Sequence, residues 1–167
     1  MVERNSKKVY IYRGIYRQLE ERLIYMKKDD LSVTALLLEA IVIILGVAYI
    51  GLQIYYGIYY HVPIYKYVIN IFLMVLLYLG LTILSNYPER INHIPQELCV
   101  GAVRKYSLWL VRLVKFIFVC GLLIPSLCDA FGIAIQSAYS LIIIGLFIIV
   151  SVFCEWKIIT ELKNNNK

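Results

Sequence analysis

Residues 33–56 read VTALLLEAIVIILGVAYIGLQIYY and carry one charge, Glu39. As a helix this stretch rises about 36 Å, more than the roughly 30 Å of a bilayer's hydrocarbon core. A transmembrane barrel strand alternates apolar and polar positions over about ten residues. No such alternation exists here, so the period is helical. Three more stretches of the same character follow at about 64–85, 108–128 and 130–153. The chain therefore reads as all-α, an integral membrane four-helix bundle preceded by an amphipathic helix. A soluble bundle needs only one apolar face per helix. With 61% hydrophobic residues and a mean hydropathy of +0.73, little remains for a water-soluble domain.

The organisation expected is an amphipathic N-terminal segment over 1–31, a four-span domain over 32–157 and a tail over 158–167. Within the first segment, Tyr12, Ile15, Tyr16, Leu19 and Leu23 recur at helical spacing, with Arg13, Arg17, Glu20 and Glu21 off that stripe. A helix over 9–28 fits either the membrane surface or the face of a partner. The first apolar run is longer than a signal peptide's core and lacks a small-residue cleavage site behind it, so it is expected to stay in the mature protein.

Charge sets the orientation. Eight basic residues precede the first span: Arg4, Lys7, Lys8, Arg13, Arg17, Arg22, Lys27 and Lys28. Arg90, Arg104 and Lys105 lie between spans two and three, and Lys157, Lys163 and Lys167 follow span four. The other two loops hold only Lys66. Every cluster falls on one side if both termini are cytoplasmic. The net charge of +6 is then a membrane property, since basic side chains next to anionic headgroups are attracted there. No compact basic domain exists to bind nucleic acid.

Tyrosine occurs 15 times, with Tyr49, Tyr55, Tyr56, Tyr59, Tyr60, Tyr65 and Tyr67 gathered around the loop between spans one and two. Tyrosine rings favour the headgroup zone, and a belt at the outer surface is expected. An aromatic cage for a cation is the functional alternative.

Three charges lie at membrane depth. Glu39 is about 7 Å into span one. Arg112 and Lys115 enter span three from the same side. A bare carboxylate in hydrocarbon is costly, so Glu39 is expected to pair, most specifically with Arg112; the long cations have the alternative of snorkelling to the headgroups. Arg90, Arg104 and Lys105 are candidates for an anionic headgroup. Gln53, Asn70 and Gln136 are placed to hydrogen-bond across helices. Ala130, Ala134 and Ala138, with Ser137 and Gly145, suggest a small-residue packing face on span four. Pro125 is expected to kink or end span three, and Asp129 and Gly132 to form a tight turn after it. Pro95 is expected to open a helix running into span three.

The motifs of chemistry are missing. The four cysteines, Cys99, Cys120, Cys128 and Cys154, show no CxxC spacing, and no phosphate loop, HExxH or GxSxG occurs. His61 and His93 fall on opposite sides of the membrane, and His93, Glu97 and Cys99 make a poor metal set. No metal or cofactor is expected. The composition points away from an enzyme and toward an accessory, regulatory or scaffold subunit working through lipid and protein contacts, as a homo-oligomer or with a membrane partner. A small oligomeric channel or transporter, and a membrane enzyme acting on lipid, are the competing readings.

Overall fold

A computed structural model describes residues 32–61, 63–91, 93–95, 98–135 and 138–165. The expected amphipathic helix over 9–28 lies outside these residues, as do Glu97, Gln136 and Ser137. Four long helices carry the fold: α1 (Val33–Tyr59), α2 (Ile64–Asn86), α3 (Gly101–Ala130) and α4 (Ala138–Asn165). Each is long and apolar enough to cross a membrane. The chain is an all-α, multi-pass membrane protein.

The packing described here is that of residues 34–167, one compact unit. Its centre is α3, which buries Val103, Leu108, Val111, Lys115, Val119 and Leu123. These positions recur every three to five residues, so one broad face of α3 is turned inward. Its closest packing is against α4. On the other side Tyr49 of α1 and Met74 of α2 meet Leu123 in an apolar cluster. Between α1 and α2 the contact is made by side chains rather than by close backbone approach. A Cβ on Gly46 would stand 2.9 Å from the end of Met74, and one on Gly57 would run into the Tyr67 ring. Outward, α2 and α4 present large apolar side chains, among them Phe72, Ile83, Leu141, Ile149 and Trp156. In water such a surface would aggregate; against lipid tails it has no such cost.

The helix ends have local causes. Pro88 follows Asn86 and Tyr87, and a short 3-10 turn, Pro88–Arg90, replaces the helix there. At the far end of α3, Gly132 takes a left-handed φ of +68°. Its N–H donates to the Asp129 carbonyl at 3.1 Å, and the Ile133 N–H donates back to Cys128 at 2.8 Å. That pair of bonds is a Schellman stop, which needs a residue tolerant of positive φ. Pro125 does not end α3, which runs five residues further. A proline removes the N–H that would serve the carbonyl four residues back, here Gly121. The Tyr139 hydroxyl of α4 donates toward that carbonyl at 3.3 Å and toward Cys120 at 3.4 Å. The neighbouring helix thus supplies what the proline took away.

Three expectations need correction. Helix α4 begins at Ala138, not near 130, because the Schellman stop at Gly132 is followed by non-helical residues. Ala130, Ala134 and Ala138 therefore share no face: the first closes α3, the second is in the connection and the third opens α4. The helix before span three starts at Gly101 rather than at Pro95, whose carbonyl instead accepts turn bonds from Leu98 and Cys99. The stretch after 157 is no separate tail. It continues α4, with Ile158 buried against Ile94, Cys99 and Val103, and Tyr106 and Leu162 packed around them. This apolar cluster ties the ends of α3 and α4 to the connection before α3.

Candidate functional site

The charges at membrane depth converge on Glu39. Its carboxylate lies six residues past the start of α1, about 9 Å along the helix. Lys115 of α3 donates from Nζ to both carboxylate oxygens, at 2.6 and 2.7 Å. The Lys115 side chain is 1% exposed, the Glu39 side chain 26%. Arg112 stands one turn away, with Nε 3.7 Å from the nearer oxygen, too long for a hydrogen bond and close enough for attraction. The Lys115 ammonium also lies 5.4 Å from the centre of the Tyr78 ring of α2. One lysine therefore draws α1 and α2 onto α3.

The expected Glu39–Arg112 ion pair is present, and the helix period explains why Lys115 joins it from the buried side. Leu108, Val111, Lys115 and Val119 fall on the buried face of α3. Arg112 is off its centre, 13% exposed. A lysine at the centre of that face has no route to the headgroups and must be met by an acceptor.

A second polar group links the spans near the end of α1 and the start of α2. Asn70 of α2 donates from Nδ2 to the Gln53 carbonyl at 3.3 Å, and Gln53 of α1 donates from Nε2 to the Ser126 hydroxyl of α3 at 3.2 Å. The Ser126 hydroxyl donates to the Leu122 carbonyl, and the Tyr56 hydroxyl donates to the Ser126 carbonyl. Gln53 is buried, 8% exposed. Ser126 was not among the residues expected from the sequence, and Tyr56 was expected only as part of the tyrosine belt. A serine one position past Pro125, level with Gln53, was the available signal.

The other basic candidates lie on the 3-10 turn and near the start of α3. Arg90 lies over the Tyr87 ring at 4.9 Å, Lys105 is exposed and Arg104 half-buried on α3. Gly145 opens onto empty space rather than onto a packed helix. Tyr55 stacks on Tyr59 and Tyr56 on Tyr60, at 5.3 and 5.2 Å, with edge contacts between the two pairs. Those rings face one another instead of converging on a shared point, the arrangement a cation cage requires.

No family model matches the chain, no curated protein resembles it, and no solved structure shares its fold at a significant level. The chemistry must be read from the side chains alone. Among the described residues no three His, Cys, Asp or Glu side chains gather to hold a metal ion. The four cysteines are free thiols. The half-open space between α1 and α2, about 160 Å³, is lined by Val42, Ile43, Gly46, Ile50, Met74 and neighbouring apolar groups, with the Tyr78 ring. It suits hydrocarbon rather than a polar substrate.

Proposed function

We propose that this is a non-enzymatic membrane subunit, an accessory, regulatory or scaffold protein that acts through protein and lipid contacts. The observation that carries this reading is how the polar side chains at depth are used. Lys115 is held by both oxygens of Glu39, and Gln53 bridges Asn70 and Ser126. They hold helices together, and the space described between α1 and α2 is lined by apolar groups instead. The surface left over, on α2 and α4, is apolar and broad. A homo-oligomeric channel or transporter requires polar groups facing a water-filled axis. A lipid-acting enzyme requires a nucleophile or general base poised in a cleft.

The test has two arms. The protein purified in mild detergent from its own membrane is expected to carry a membrane partner in fixed ratio, lost when Leu141 and Ile149 on the outer face of α4 are replaced by tryptophan. In liposomes it is expected to conduct no ions. A flux that falls with Glu39→Gln while the protein stays folded would overturn the reading in favour of the channel.

The proposed orientation places both termini in the cytoplasm. Four crossings put residues 32 and 165 on one side, together with Arg90, Arg104, Lys105 and Lys157, leaving Lys66 opposite. Arg90, Arg104 and Lys105 would then meet anionic lipid of the inner leaflet. On intact cells a cysteine at position 61 is expected to react with an impermeant maleimide, and cysteines at 3 and 165 only after permeabilisation. Outside labelling at 3 or 165 would reverse the topology.

A further inference from the structure

Asn70 is an exposed amide on the least buried of the four spans. It lies six residues inside α2, about 9 Å along the helix and a full turn deeper than Lys66. One proton of Nδ2 goes to Gln53. Among the described residues no hydrogen bond takes up its second proton or its Oδ1 acceptor, and lipid tails offer nothing to bind either. On the same flank Leu73, Leu77 and Gly80 follow at three-, seven- and ten-residue spacing, the rhythm of a helix–helix seam. Both leucines are exposed, at 48% and 43%, and Gly80 has no neighbour within 4 Å of where its Cβ would stand.

We infer that this flank of α2 is the contact between two copies of the chain, closed by Asn70 against the partner's Asn70. The choice of a second copy follows from symmetry. Copies inserted in the same sense are related by a two-fold axis along the membrane normal, so every residue lies level with its counterpart. An amide is its own complement. Each Asn70 donates its second proton to the other's Oδ1 and accepts one in return, and both donors and the acceptor are then satisfied. The leucines fill the seam, and Gly80 lets the backbones approach at its deeper end. The contact adds one named partner to the non-enzymatic reading above, on which it otherwise does not depend.

The experiment is single-molecule photobleaching of the full-length, singly labelled protein in liposomes over a range of protein-to-lipid ratios. Two-step traces are expected to rise above chance co-occupancy as density increases. Asn70→Leu is expected to move the midpoint to about tenfold higher density, the scale of one or two interhelical hydrogen bonds in lipid. Asn70→Gln, which keeps the amide, is expected to retain most of the pairing. Gly80→Leu obstructs the seam without touching the amide and is expected to weaken pairing like Asn70→Leu. It serves in its place where that variant does not fold. Single-step traces at every density would overturn the inference, with lipid covering Asn70. So would pairing that neither Asn70→Leu nor Gly80→Leu moves, which would place the contact elsewhere. A monomeric result leaves the search for a different membrane partner standing, and loss of that partner leaves this contact standing.

Discussion

Glu39→Leu is expected to destabilise the fold by about 3–5 kcal/mol, the usual cost of stripping one partner from a buried ion pair. The mutation leaves the Lys115 ammonium on the inward face of α3, 1% exposed, with only the Tyr78 ring beside it at 5.4 Å. Lys115→Met is expected to cost less. Glu39 keeps Arg112 within 3.7 Å and has partial access to its surroundings, so its charge is not stranded. The double variant Glu39→Leu/Lys115→Met is expected to return to within about 1 kcal/mol of the wild type, because an apolar pair of similar volume avoids the desolvation cost of both ions. Equilibrium unfolding by denaturing detergent in mixed micelles measures all three. Losses that simply add would show that the two side chains are not coupled, despite their contact. Measured on the same variants, ion flux separates the structural role from conduction: a channel residue alters current without this pattern of rescue.

The four spans were legible from length and composition, because a backbone in hydrocarbon must bond internally and a run of about twenty apolar residues allows only a helix. That argument is insensitive to detail, and it placed α1 and α2 within a few residues. It failed for α4. The run from Ala130 to Phe153 carries no charge, and average hydropathy does not distinguish a mostly apolar turn from an apolar helix. What ends α3 is the backbone freedom of Gly132, and the signal for it is one glycine. The small-residue face of Ala130, Ala134 and Ala138 was a periodicity read through a turn. The continuation of α4 past 157 is set by Ile158 and Leu162 packing outside the apolar run, a tertiary contact that no hydropathy window reports.

The charged cluster was half legible. Matching depths brought Glu39, Arg112 and Lys115 to the same level, and the cost of a carboxylate in lipid required a contact. Depth alone favoured neither cation. The rotation of α3 decided it, and that rotation was available from the spacing of Leu108, Val111, Val119 and Leu123 around Lys115. Tyr139 was not legible at all. Its role depends on which residue of α4 lies level with the carbonyl freed by Pro125, and the register between α3 and α4 is set by the connection between them.

Gln53→Leu is expected to destabilise the protein by about 1–2 kcal/mol, roughly one interhelical hydrogen bond in lipid for each of its two partners. The substitution keeps the side chain's volume and removes its hydrogen bond from Asn70 of α2 and its hydrogen bond to Ser126 of α3. Its cost is bounded from below by what it strands: Asn70 loses the acceptor for one proton of Nδ2, while Ser126 still has its bond to the Leu122 carbonyl. The loss should therefore fall mainly on the α1–α2 link. Tyr56→Phe removes a single bond at 3.2 Å to a carbonyl near the end of α3 and is expected to cost less than Gln53→Leu. Ser126→Ala is expected to cost less as well, because Gln53 keeps its bond from Asn70. The same detergent titration ranks the three, and hydrogen exchange locates the change: faster exchange in the outer half of α1 with α3 unchanged. If Gln53→Leu proved as stable as the wild type, the bridge would be incidental, and contacts such as the Glu39–Lys115 pair, the Tyr56–Ser126 bond and the Tyr49–Met74–Leu123 cluster would hold α1 without it.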